Sequence, residues 1–152
     1  MLLVHPQASL LRNGSAAPAI TLQTDTGVHV DALAAAAHRP LLIQFFSTVC
    51  DTCARQGPAL CALPARFRRT LVIAVDAAGE TAAAIRAYGL HAMPPPCVAH
   101  RLVDPALSVT RAYQAAVVPT VYVVDSSGRI AYGGVGGNAI DGAQAALMQL
   151  GG

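Results

Sequence analysis

The apolar run Leu41-Leu42-Ile43-Gln44-Phe45-Phe46 leads through a short turn into Cys50-Asp51-Thr52-Cys53, and a stretch with helical spacing follows. Strand, turn, CxxC and helix in that order place the first sulfur at a helix N-terminus. Free backbone N–H groups and partial positive charge there favour a thiolate. The second thiol lies one helical turn on, close enough to close a disulfide. A lone CxxC also fits half of a zinc site, so the remainder of the chain decides between these.

Upstream, Ile20-Thr21-Leu22 and Val28-His29-Val30 flank Asp25-Thr26-Gly27, the signal of a β-hairpin. Asp31 is placed to cap a short alanine-rich helix ending near His38, which Pro40 stops. Downstream, the CxxC helix is expected to run from about 51 to the high 60s. Pro58 should kink it by removing a backbone donor, and Pro64 should kink or end it. Leu71-Val72-Ile73-Ala74-Val75 reads as a buried parallel strand closed by Asp76. A helical pattern over 80–88 follows, with Gly89 placed to terminate it. Residues 97–103 are compatible with a strand. Asp104-Pro105 reads as a cap and first helical residue for a helix ending near Ala115. Val121-Tyr122-Val123-Val124 and Arg129-Ile130-Ala131-Tyr132 flank the turn Asp125-Ser126-Ser127-Gly128. A glycine loop and a closing helix over 138–149 complete the chain. This alternation predicts an α/β domain over residues 16–152, a central mixed sheet with helices on both faces and an N-terminal hairpin. Residues 1–15 read as an irregular arm broken by Pro6 and Asn13-Gly14, with His5 at the surface.

Composition excludes several classes. With 54% hydrophobic residues over 152 positions, the chain can bury a full core. Its net charge of +2 and lack of a basic stripe argue against nucleic acid as a partner. All ten basic residues are Arg, so lysine chemistry is excluded. No apolar run reaches about 18 residues, the length of a membrane span. Met1 to Pro6 lacks the basic and apolar regions of a signal peptide. As it stands the chain reads as cytoplasmic, or as periplasmic if an export segment precedes it. Four cysteines are too few for a disulfide scaffold, and Cys61 and Cys97 read as small buried hydrophobes.

The chain resembles the thioredoxin superfamily, most closely the TlpA- and ResA-like thiol-disulfide oxidoreductases in the branch shared with alkyl-hydroperoxide-reductase-type proteins. The residues that carry the resemblance span roughly 16–150. They are Ala17-Pro18-Ala19-Ile20 through Gly27, Ile43 through Cys50, Pro58, Val117-Val118-Pro119-Thr120, and Val123 through Ile130. The resemblance implies a thioredoxin fold without bound cofactor or metal. It implies Cys50 as nucleophile, Cys53 as resolving thiol, and Pro119 in cis beside them. It implies that Val118, Thr120, Asp51 and Thr52 meet the substrate. The implied partners are a protein disulfide or dithiol and an upstream thiol reductant, met by a monomer.

Several positions depart from the family pattern. Val49 stands where an aromatic residue usually precedes the first Cys, Gln44 where thioredoxins bury an Asp, and Gln56 where ResA-like proteins carry a Glu. Asp51 beside Cys50 opposes thiolate formation, while Arg55 at i+4 is placed to neutralise it. These effects predict a Cys50 pKa of roughly 6–8.5, suited to a reductant. Two rival readings remain. Soft thiolates bind Cu(I), which fits a copper-handling metallochaperone-like module, although neither His91 nor His100 lies in a ligand context. Ser47 fits one position of a peroxiredoxin motif whose proline position is Ile43, which leaves a thiol peroxidase half supported. A zinc site would join Cys50 and Cys53 to Cys97 and His100, outside compact zinc-module spacing.

Overall fold

The computed structural model describes residues 9–151. The first eight residues, with the His5 and Pro6 readings, lie outside that range. The strands and helices run in the order β1 (Thr21–Thr24), β2 (His29–Asp31), α1 (Ala32–Ala36), β3 (Leu41–Phe46), α2 (Asp51–Arg55), α3 (Gly57–Arg66), β4 (Leu71–Asp76), α4 (Ala82–Ala92), β5 (His100–Val103), α5 (Ser108–Ala112), β6 (Thr120–Val124), β7 (Ile130–Val135) and α6 (Ala139–Leu150). One seven-stranded sheet has the order β2-β1-β5-β4-β3-β6-β7. Strand β3 pairs in parallel with β4 and antiparallel with β6, so the sheet is mixed.

Strand periodicity explains the two-sided core. Leu42 and Phe46 of β3 point to one face, where they meet Leu60 and Leu63 of α3, Ile85 and Tyr88 of α4, and Leu147 of α6. Leu41, Ile43 and Phe45 point to the other, against Ala32 and Ala36 of α1 and Val109 of α5. Every residue of β3 is buried, which is why this strand reads as a continuous apolar run rather than an alternating one. Asp31 caps α1 by accepting the Ala34 N–H at 3.3 Å. Thr81 caps α4 by accepting the Ala84 N–H at 3.1 Å.

Several expected boundaries move, each for a physical reason. The CxxC helix is two helices, with Gln56 ending α2 and capping α3. Pro58 sits in the first turn of α3, where no donor is needed, and so restarts a helix as well as interrupting one. Pro64 lies within α3, which continues to Arg66. Gly89 does not terminate α4, which runs on to Ala92. A Cβ at Gly89 would lie 2.3 Å from the guanidinium carbon of Arg101, so glycine here admits a neighbouring side chain. The strand expected from Cys97 begins only at His100. Asp104 does not cap a helix at 105. It is buried and accepts the Thr110 N–H and hydroxyl, both at 2.7 Å, and α5 starts at Ser108 and ends at Ala112. Gly133 and Gly134 are strand residues of β7, opposite Tyr122 and Val121, rather than loop.

Residues 9–15 of the arm have no regular structure, yet they are tied down along β7. Gly14 N–H donates to Ile130 at 2.7 Å, and Ile130 N–H donates to Ser15 at 2.9 Å. These bonds cover part of an edge strand that would otherwise present free backbone groups.

Helices α3 and α4 approach so closely that a Cβ on Gly57 would lie 2.0 Å from the carbonyl oxygen of Ala92. That neighbour is backbone and cannot rotate away. Gly57→Ala is therefore expected to cost about 3 kcal/mol, read as a lowered midpoint in urea unfolding. A change below about 0.5 kcal/mol would contradict the contact.

Candidate active site

The C-terminal end of β3 delivers the CxxC. Ser47 and its neighbours turn the chain, with the Cys50 N–H donating to the Ser47 carbonyl at 3.3 Å. Cys50 then caps α2, and its Sγ accepts the Cys53 N–H at 3.1 Å. The two sulfurs form a disulfide, with Cα atoms 5.2 Å apart. Cys53 is fully buried, whereas Cys50 is only half-buried and follows Val49, which is 85% exposed. Of the two residues, only Cys50 keeps surface open to solvent.

The register places the Val118–Pro119 loop at the same end of the sheet. Thr120, the first residue of β6, lies opposite Phe45 near the end of β3. The Val118–Pro119 bond is cis, and the Pro119 carbonyl accepts the Gly136 N–H at 2.9 Å. Thr120 is fully buried and its hydroxyl donates to the Val117 carbonyl at 2.5 Å. Its side chain shapes the loop rather than facing outward. Val118 is half-buried, and Val117 and Val135, the latter opposite Thr120, are exposed aliphatic residues at this end of the sheet.

Asp51 is exposed and Thr52 half-buried. Arg55 does not pair with Asp51 as expected. Its guanidinium donates to the Thr52 hydroxyl at 3.1 Å, three residues away rather than four. Gln44 and Gln56 are both buried and bonded to each other, Gln44 Nε2 donating to Gln56 Oε1 at 2.9 Å. Gln56 Nε2 in turn donates to the Gly136 carbonyl at 3.0 Å. Two neutral amides thus form one buried hydrogen-bonded pair between β3 and the start of α3.

Sequence reasoning missed two features. Cys61 and Cys97 are not separate buried hydrophobes but a second disulfide, with Cα atoms 4.9 Å apart. It joins α3 to the loop before β5. Cys97 is thereby removed from any zinc set with Cys50 and Cys53, and among the described residues no three His, Cys, Asp or Glu side chains are grouped to hold a metal. The second feature is an acid pair beside the Cys50 turn. Asp76 ends β4 opposite Phe46 and is fully buried. Its Oδ2 accepts the Glu80 N–H at 2.6 Å. Glu80 accepts the Thr48 N–H at 2.9 Å and also the Thr48 hydroxyl. Burial, followed by the hydrogen bond with Glu80, pushes the Asp76 carboxyl up to about 7. Burial opposes charge on Glu80 too, but hydrogen bonds from Asp76 and Thr48 prevail and hold it below the usual carboxylate range. The sequence signal was a lone acid closing a fully apolar strand.

Comparison with known proteins agrees with this architecture. The Redoxin family model matches residues 12–147. A DsbE-like thiol:disulfide interchange protein from Chlorobium tepidum superposes with a TM-score of 0.80 at 22% identity, covering 93% of this chain and 99% of that one. A secreted Mycobacterium tuberculosis disulfide oxidoreductase homologous to Escherichia coli DsbE gives 0.72 at 16% identity, covering 86% and 96%. The peroxidoxin BcpB from Mycobacterium tuberculosis gives 0.76 at 14% identity, covering 92% and 96%. No curated protein sequence matches. With its mixed sheet, the CxxC disulfide at the end of β3 and a family match over nearly its whole length, the chain is a thioredoxin-fold protein of the Redoxin family.

Proposed function

We propose that this redoxin is a thiol-disulfide oxidoreductase that exchanges disulfides with protein partners, and that it works as a reductant. The observation that carries the reading is the asymmetry of the Cys50–Cys53 disulfide, in which Cys50 is half-buried and Cys53 fully buried. In the reduced protein, Cys50 thiolate attacks a partner disulfide and releases one partner thiolate, which leaves a Cys50–partner mixed disulfide. Cys53 thiolate then attacks Cys50 Sγ, releases the second partner thiolate and closes the Cys50–Cys53 bond. The partner gains two electrons and the pair loses two. An upstream dithiol restores them.

The exposed aliphatic residues Val49, Val117 and Val135 at this end of the sheet suit an extended apolar segment around the partner disulfide. Val118 offers backbone to that segment, and Asp51 and Thr52 flank it. Pro119 lacks an N–H and so adds no competing donor. The protein acts as a monomer in this reading. The Cys61–Cys97 disulfide supports action in an oxidising compartment, because such bonds persist there and not in the cytosol.

The test is turnover. Catalytic amounts of the protein should accelerate dithiothreitol reduction of a protein disulfide, and Cys50→Ser should lose that acceleration. Stoichiometric Cu(I) retention without turnover would favour the copper-handling reading, and peroxide consumption faster than protein-disulfide reduction would favour the peroxidase.

A further inference from the structure

We propose that Asp76 and Glu80 share one proton and act together as a latch that positions the turn presenting Cys50. This inference rests on the exchange reading above. Strands β3 and β4 run in parallel and end side by side, Phe46 opposite Asp76, so their two following loops leave the sheet together. The Ala77 N–H donates back to the Phe46 carbonyl at 2.8 Å. From the β4 loop, Glu80 then grips Thr48 at both its N–H and its hydroxyl. Thr48 lies within the turn closed by the Cys50 N–H and the Ser47 carbonyl. No other side chain of the described residues bonds to the turn residues Ser47, Thr48 or Val49.

The grip depends on charge. A carboxylate accepts both Thr48 donors, so Glu80 is the ionised member. Asp76 has no exposed surface, and a second charge there would be buried beside the first. With one proton on Asp76, its O–H donates to Glu80 and the pair is satisfied. When that proton leaves, two adjacent carboxylates repel, and Glu80, which is only half-buried, has a path to solvent. Thr48 then loses its partner and the Cys50 turn loosens.

Among the described residues no Arg, His or further acid hydrogen-bonds or ion-pairs with Asp76 or Glu80, whose side-chain partners are the Thr48, Ala78 and Glu80 groups. The transition is expected near neutrality, because burial and the Glu80 hydrogen bond raise the Asp76 carboxyl to about 7.

The experiment oxidises reduced protein with 2-hydroxyethyl disulfide, a neutral probe that does not titrate. The observed rate is divided by the Cys50 thiolate fraction from ultraviolet absorbance. In the wild type this per-thiolate rate should fall about tenfold from mildly acid to mildly alkaline pH as the turn loses its position. Asp76→Asn keeps a donor toward Glu80 without titrating and should lose the alkaline fall. Glu80→Gln removes the second charge and should lose it as well, which keeps the test open if Asp76→Asn does not fold. Thr48→Val should be slow at every pH, and Thr48→Ser should restore the rate. A wild-type rate that is flat across this range, or an Asp76→Asn profile that superimposes on the wild type, overturns the latch alone. A wild type that never oxidises overturns the exchange reading and the latch with it.

Discussion

Cys53→Ser protein incubated with a protein disulfide should accumulate a mixed disulfide through Cys50, while Cys50→Ser protein should accumulate none. Both substitutions should lower turnover at least about a thousandfold. The expectation follows from the burial of the two sulfurs. Cys50 is half-buried beside exposed Val49 and can meet a partner, whereas Cys53 is enclosed by the core on the α3 side of the sheet. Exchange requires the attacking sulfur, the attacked sulfur and the leaving sulfur to align, which a buried Cys53 cannot offer to a protein. Without Cys53, the mixed disulfide has no internal nucleophile and persists. Non-reducing electrophoresis and peptide mass mapping read the adduct directly. An adduct on Cys53, or equal adducts on both variants, would contradict the assignment of roles.

Removing the other disulfide should have a large effect of a different kind. Cys61→Ala with Cys97→Ala is expected to lower stability by about 4 kcal/mol, the chain-entropy value for a loop of this length. The cysteines are 36 residues apart in sequence. Their bond closes a loop containing the end of α3, all of β4 and all of α4. Cys61 lies one helical turn beyond Gly57, which meets the Ala92 carbonyl, so the close contact holds α3 to the end of α4 and the disulfide holds α3 to the loop that follows. Urea unfolding monitored by circular dichroism measures the loss. The chemistry at Cys50 uses neither residue, so the mixed disulfide should still form in the double variant. A stability change under about 1 kcal/mol would contradict the account of the clamp.

Where local chemistry decides an element, the sequence was enough. Strand β3 was legible because six residues between Pro40 and a polar turn are buried on both faces, and its observed limits are those expected. The hairpin turns at Asp25-Thr26-Gly27 and Asp125 through Gly128 were legible because Gly27 and Gly128 both take positive φ. The CxxC was legible because its spacing fits one helical turn. Features decided by distant packing were hidden. Nothing around Cys61 or Cys97 announces a partner 36 residues away, and the pairing arises only when α4 returns the chain to α3. Gly89 has the local signal of a helix end, but its reason is the Arg101 side chain of β5 lying over it. Gln44 and Gln56 stand in separate segments as neutral substitutes for acids, and only the fold joins them in one hydrogen bond. Arg55 was paired with Asp51 by helical spacing, but i+3 geometry serves Thr52 instead. Asp76 and Glu80 act on a turn from a neighbouring strand, a relation that spacing along one segment cannot express.

The most direct test of the central claim is a redox titration of the purified protein in glutathione and dithiothreitol buffers, with free thiols alkylated and located by peptide mass. The account predicts a reversible two-electron couple at Cys50 and Cys53 at about −250 mV or lower, the range of a reductant. A couple near about −120 mV would contradict the proposed direction of electron flow, and no reversible couple at these two residues would contradict the function itself.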